Sequence, residues 1–212
     1  MQPQAYIDLR VIPSLKAERP NAMAHDVMAL LIKFTHAIAA RQGFKHAVAF
    51  PQAKTGTHPS PGNHARVFAL ARESLEALAD ELEKQQFIRD YVNIGRVKVL
   101  PPDFKPTAFV EYLRFRVPNR KSRLAESRAK RMAEADSLPH LRLNSSTSGH
   151  GFSLFVKPVR HNTPYCNEER TLSFEPDVYG LSVFTRRFSL PVTPEDSWPV
   201  GRITSTQTGV ID

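Results

Sequence analysis

The first hundred residues alternate between two periodicities, and that alternation constrains the fold more than any other feature. Residues 5–12, AYIDLRVI, alternate apolar and polar side chains as a half-buried strand does. After a turn between Pro13 and Pro20, the apolar side chains Val27, Leu30, Leu31, Phe34 and Ile38 recur at helical spacing over residues 23–41, and Gly43 supplies a stop. Residues 46–50 read as a short strand ended by Pro51, and residues 52–64, with two prolines and two glycines, as a loop. A strand at 66–70, a second amphipathic helix over 73–91 carrying Leu75, Leu78, Leu82 and Phe87, and a strand at 97–100 complete the series. Strand, helix, strand, strand, helix, strand is the split βαβ order of a ferredoxin-like fold, whose open sheet many RNA-binding domains use. The expected class is α+β.

Past Pro106 the character changes. Residues 109–117 read as a strand leading into a basic helix at about 120–135, and residues 141–144, 152–158 and 172–174 as further strands. The expected organisation is a ferredoxin-like domain over 1–105, a smaller domain over 106–182 bearing the basic helix, and an extension over 183–212 whose Phe184, Phe188 and Trp198 form no pattern among its prolines and glycines.

Charge separates these parts. The formal net charge is +8, yet residues 114–131, RFRVPNRKSRLAESRAKR, hold Arg114, Arg116, Arg120, Lys121, Arg123, Arg128, Lys130 and Arg131 against the single acid Glu126. Nearly all of the excess is local, which points to a polyanionic partner. At about 100° per residue, Arg120, Arg123, Arg128, Lys130 and Arg131 share one arc, with Leu124 the exception on that face, while Ala125, Ala129, Met132 and Ala133 lie opposite. Ser122 can cap the start, and DSLP at 136–139 ends the helix. Such a helix lies with its small apolar back on a protein body and its front in a phosphate-lined groove. The competing reading, a solvated helix laced with ion pairs, has only Glu126 as an acid within residues 114–131.

Other classes are disfavoured. No run approaches the roughly 18 apolar residues of a membrane span, and MQPQAYIDLRV lacks a signal-peptide pattern, so a cytoplasmic protein without membrane association is expected. Cys166 is the only cysteine, which excludes an intrachain disulfide and a thiolate zinc site, and the eight histidines show no HExxH or HxH spacing. No metal or cofactor is expected. Neither GxSxG nor a Walker loop is present.

Three features can carry chemistry. His36 lies about 180° from Val27 on the first helix, away from its apolar stripe. It is either an ordinary surface residue or a general base, the role for which imidazole is suited near neutrality. The hydroxyl run Ser145, Ser146, Thr147 and Ser148 is a phosphate nest, a nucleophile site or a turn. Phe152 beside Gly151, and Tyr179 before Gly180, are stacking platforms or core residues.

The motifs YIDLRV at 6–11, KFTHAIAA at 33–40, AVAFP at 47–51, RVFALARESLEAL at 66–78, the Arg-rich helix, SSTSGHGFSLFV at 145–156 and YGLS at 179–182 occur in one chain in this order. In these the chain resembles the CRISPR RNA-processing endoribonucleases of type I-F systems, the Csy-class repeat nucleases. The resemblance implies a ferredoxin-like domain followed by a smaller domain with the Arg-rich helix. It matches His36 to the general base acting on a ribose 2′-hydroxyl, Ser145, with Ser146 beside it, to the active-site serine, and Tyr179 to the tyrosine that orients the histidine. Phe152 matches the phenylalanine stacked on the base pair at the foot of the RNA hairpin. Arg116 and Asn119 resemble an Arg and Gln that read purines, although the spacing is one residue longer and Asn replaces Gln.

What the resemblance implies is a metal-independent endoribonuclease. It cleaves CRISPR repeat RNA at the 3′ foot of a stem-loop, leaves a 2′,3′-cyclic phosphate, and stays on the hairpin as a subunit of a type I-F surveillance complex. Its partners are then the repeat RNA and the other subunits, with the protein itself monomeric. Arg114, Arg116, Asn119, Arg120, Lys121, Arg123, Arg128, Lys130, Arg131, Ser146, Thr147, Ser148 and Phe152 are the expected RNA contacts. The alternative is a catalytically silent hairpin-binding subunit; binding alone requires none of His36, Ser145 and Tyr179.

Overall fold

A computed structural model describes residues 2–12, 20–117, 125–145, 149–164 and 174–193. Strand β1 (Ala5–Val11) is followed by α1 (Pro20–Gln42), β2 (His46–Ala49) and β3 (His64–Ala69), then by α2 (Arg72–Glu83), α3 (Gln86–Tyr91), β4 (Val92–Ile94) and β5 (Lys98–Val99). The antiparallel sheet runs β2-β3-β1-β4, with β5 also paired to β1. This is the ferredoxin-like α+β arrangement expected from the alternating periodicities.

Two details differ from expectation. The helix anticipated over residues 73–91 is interrupted at Gln85, whose φ of −83° and ψ of 108° are extended, and the spacing that carries Leu82 on to Phe87 hides the break. Its end abuts β4, and the last strand is split. Leu9 pairs with Ile94 but Tyr6 with Lys98, so the register slips by one residue around Gly95. A Cβ at Gly95 would lie 2.9 Å from the carbonyl oxygen of Asp8. Only glycine lets this bulge close onto β1.

The β1/β3 register places Ala5, Ile7 and Leu9 opposite Ala69, Val67 and Ala65, an apolar face that the helices cover. Leu75, Leu78 and Leu82 of α2 are wholly buried, each worth about 1.5–3 kcal/mol of burial. The other face carries Tyr6, Asp8, His64, Arg66 and Phe68. There Asp8 Oδ1 accepts from Arg66 Nε and bonds His64 Nε2, both at 2.7 Å, while Arg66 Nη1 donates to Thr193 Oγ1 at 2.6 Å. Burial alone would raise the Asp8 pKa, but the bonds from His64 and Arg66 outweigh it and hold the carboxyl well below the usual range.

The second sheet is built from β6 (Phe109–Phe115), β7 (His140–Asn144), β8 (Gly151–His161) and β9 (Leu190–Pro191) in the antiparallel order β7-β8-β6-β9, with α4 (Ala125–Asp136) between β6 and β7. Residues of both sheets share one continuous hydrophobic core. Within the stretch expected to be an extension, Leu190 and Pro191 pair with Val110 and Phe109 of this sheet. Phe174, expected in a strand, is instead a buried residue packed against Phe188 at 5.7 Å between ring centroids; residues 172 and 173 lie outside the described residues.

The two long helices dock differently. On α1 the buried positions include Ala24, Val27, Met28, Leu31, Ile32, Thr35, Ile38 and Ala39, while Leu30 is 38% exposed. The window Met23–Gln42 is long and apolar enough on average to cross a membrane, but half of it is buried inside the protein, where α1 packs on the first sheet, α2 and β7. Helix α4 corrects the expected apolar back. Ala129 and Ala133 are exposed and Met132 is 42% exposed, and the contact comes from Ala135 near the end of the helix and Leu138 just past it, packed with Phe115. The helix is held at its C-terminal end.

Candidate active site

Residues 177–182, DVYGLS, fold as a loop whose first residue organises the rest. Asp177 Oδ1 accepts from the backbone N–H groups of Tyr179 at 2.9 Å and Leu181 at 3.0 Å, and Gly180 N–H donates to the Asp177 carbonyl at 2.9 Å. This is the side-chain turn that aspartate favours. Gly180 has φ of 78°, and a Cβ there would sit 2.8 Å from Val48 Cγ2 and 2.9 Å from its backbone nitrogen. The close approach lets Val48 N–H donate to the Gly180 carbonyl at 2.8 Å, which clamps the loop onto β2. Glycine is required here for both its backbone angle and its missing side chain.

The other end of the loop is fixed to β6. Ser182 exchanges backbone hydrogen bonds with Tyr112 and Arg114, and its hydroxyl donates to Glu111 Oε1 at 2.6 Å. Arg187 grips the same carboxylate through Nε at 3.0 Å and Nη2 at 2.6 Å. Burial would raise the Glu111 pKa, but the bonds from Arg187 and Ser182 prevail and lower it. Ser182 of the YGLS motif is thus a structural residue.

This scaffold presents Tyr179. Its ring centroid lies 5.1 Å from that of His36 on α1 and 6.0 Å from that of Phe152 on β8, and the Arg114 guanidinium sits 5.1 Å above it. Three of the expected site residues, brought from three elements, therefore form one row. His36 is half-buried beneath the 177–182 loop rather than facing open solvent, because the flank of α1 opposite its apolar stripe packs toward the second sheet. Ser145 directly follows β7; its N–H donates to the His150 carbonyl at 3.0 Å, and its own carbonyl accepts from Gly149 N–H at 2.9 Å. Beside it, Arg142, Leu143 and Asn144 share a cleft with Lys33, one turn before His36. Ser146, Thr147 and Ser148 lie outside the described residues.

Next to His36 is a cleft also lined by Phe44, His46, Pro176, Asp177 and Arg186. His46 is buried, and its Nε2 has no hydrogen-bond partner among the described residues. Burial, and secondarily the charge of His36, push its pKa down to about 4, against a smaller opposing pull from Asp177. His46 is accordingly a neutral imidazole beside His36 near pH 7. Sequence reasoning missed both His46 and Asp177. Asp177 was recoverable, since an aspartate two residues before a Tyr-Gly pair is a turn signature; His46, on a short buried strand, gave no signal.

The basic residues fall into two groups. Arg114 is turned inward, with Nη1 donating to Asp177 Oδ2 at 2.8 Å, so its charge braces the Tyr179 loop. Arg116, Lys130 and Arg131 are exposed and Arg128 is half-exposed, and the Arg131 guanidinium lies 4.6 Å above the Phe115 ring. Asn119, Arg120, Lys121 and Arg123 lie outside the described residues.

A family model described as CRISPR-associated protein (Cas_Csy4) matches residues 6–187. No curated protein matches the chain. The chain belongs to the Cas_Csy4 family of type I-F CRISPR RNA-processing proteins, and with it to the endoribonucleases that bind and process CRISPR repeat RNA.

Proposed function

We propose that this member of the Cas_Csy4 family cleaves repeat RNA at the 3′ foot of a stem-loop, with the ribose 2′-hydroxyl upstream of the scissile phosphate as nucleophile. The single observation that supports this most is the row His36, Tyr179 and Phe152, with ring centroids 5.1 and 6.0 Å apart. It sets an imidazole beside a ring on which the terminal base pair can stack. His36 takes the 2′ proton, and the 2′ oxygen forms a bond to the adjacent phosphorus. The bond to the 5′ oxygen breaks, and that oxygen leaves as a hydroxyl after gaining a proton. The upstream product ends in a 2′,3′-cyclic phosphate, and no step calls for a metal. Tyr179 fixes the imidazole, and Ser145 positions the attacking nucleotide. Much of the acceleration then comes from holding the ribose in line.

Residues 1–105 serve as the unit that carries His36, and residues 106–182 as the unit that grips the hairpin through Arg116, Arg128, Lys130 and Arg131 together with Asn119, Arg120, Lys121 and Arg123. The protein acts in the cytoplasm as a monomer and remains on its product as a subunit of a type I-F surveillance complex. The test is a denaturing gel of end-labelled repeat hairpins incubated in EDTA with wild type and His36→Ala. Cleavage at the 3′ foot by wild type alone is the expected result. Tight binding without cleavage by either protein would establish the silent hairpin-binding subunit instead.

A further inference from the structure

The segment after YGLS turns sharply at an unexpected residue type. Val183 and Arg186 exchange backbone hydrogen bonds of 3.2 and 2.9 Å, which leaves Phe184 and Thr185 as a two-residue hairpin tip. Two-residue turns favour Gly, Asn and Asp. Phe184 is 87% exposed, the most exposed large hydrophobic side chain among the described residues. It contributes little to packing, while the base of its hairpin is held firmly: Arg187 is bonded to the buried Glu111, and Phe188 is itself buried.

Phe184 rims a cleft of about 320 Å³ that is also lined by Arg116, Arg131 and Arg186, within the range of about 300–1,000 Å³ usual for small-ligand sites. Its one acid, Asp177, is already bonded to Arg114. The cleft adjoins the one that contains His36, since Asp177 and Arg186 line both. An exposed aromatic ring on a rigid base, beside three arginines from separate elements, has the two components that bind an unpaired nucleotide: a stacking surface and phosphate partners.

We infer that this cleft binds the first unpaired nucleotide downstream of the cleaved bond, with its base on Phe184 and its phosphate facing Arg186, Arg116 and Arg131. The inference rests on the function proposed above, which assigns the upstream foot of the hairpin to Phe152 and leaves the Arg186 side of His36 for the departing strand. Phe184 and Arg186 thereby make the protein sensitive to RNA beyond the hairpin.

The experiment uses a repeat hairpin blocked by a 2′-deoxy substitution at the upstream nucleotide, with 2-aminopurine as the first downstream nucleotide. Wild type is expected to quench the 2-aminopurine fluorescence on binding and to hold this RNA at least roughly 5-fold more tightly than the same hairpin lacking the flank. Phe184→Ala should lose both the quenching and the preference while binding the flankless hairpin like wild type, and Phe184→Trp should retain both. Equal quenching by wild type and Phe184→Ala, or no preference for the flanked RNA in wild type, would overturn the inference and leave the hairpin reading standing. Failure of wild type to bind even the flankless hairpin would overturn both.

Discussion

Helices α1 and α4 each carry an expected functional group, and the protein treats them in opposite ways. Helix α1 is packed against the first sheet, α2 and β7, and presents His36 in a fixed place beneath Tyr179. Helix α4 meets the body toward its C-terminal end, through Ala135, the following Leu138 and the ion pair of Glu134 with Lys157, and leaves Lys130 and Arg131 exposed. A group that must meet one proton at hydrogen-bond distance needs a rigid surround, whereas cations that neutralise a phosphate backbone work through number and accessibility. Single changes around α1 should therefore be severe, and those on α4 graded.

The largest effect is expected at His36. His36→Ala should lower single-turnover cleavage by about 10²–10⁴-fold with RNA affinity unchanged, as measured by quench-flow and filter binding; a comparable loss of affinity would mean that His36 holds RNA rather than reacting with it. Asp177→Ala comes next. It leaves Arg114 without its carboxylate and removes the oxygen that accepts two turn-closing hydrogen bonds, a change that should cost about 3–5 kcal/mol in denaturant unfolding. Since the same loop holds Tyr179, cleavage should fall even at temperatures where the variant stays folded.

A pH dependence separates the two regions further. The folded protein takes up a proton at His46 only near pH 4, whereas an unfolded chain does so near 6.5. Between these values the unfolded state binds more protons, so stability is full above pH 6.5 and declines as the pH falls toward 4, by roughly 3 kcal/mol. His46→Gln should flatten that part of the curve in urea titrations across this range. The carboxylates Asp8 and Glu111, both lowered by their partners, lose their contributions only in more acid solution.

The smallest effect belongs to α4. Arg131→Gln should weaken binding uniformly across hairpin sequences and reduce the slope of log affinity against log salt by about 1, leaving the cleavage rate of bound RNA unchanged. A change in cleavage rate would show that α4 positions the reacting atoms, and the contrast between the helices would fail.

Much of this was legible in the residues. The alternation through β1, α1, β2 and β3 recovered the ferredoxin-like order because each segment is long enough to show its period. The interruption at Gln85 and the three-residue β4 were not, because Phe87 continues the apolar spacing of α2 and three residues carry no period. On α4 the alanines misled: a small side chain is compatible with burial and with exposure, and the actual dock lies at Ala135 and Leu138. For the site, position on a helical wheel showed that His36 avoids the apolar stripe, but its burial by residues 176–186 is a tertiary fact with no local signal. The turn built by Asp177 and Gly180 was written in DVYG, although its clamp onto Val48 depends on a strand more than a hundred residues earlier.

The most direct test of the central claim is to replace the ribose 2′-hydroxyl upstream of the cleaved bond with hydrogen and follow both binding and cleavage of the hairpin. The expected result is unchanged affinity with no detectable cleavage, while the unmodified RNA yields an upstream product ending in a 2′,3′-cyclic phosphate. Cleavage of the 2′-deoxy RNA at the same position would contradict the account, because the nucleophile would then be water and His36 would have no 2′ proton to remove.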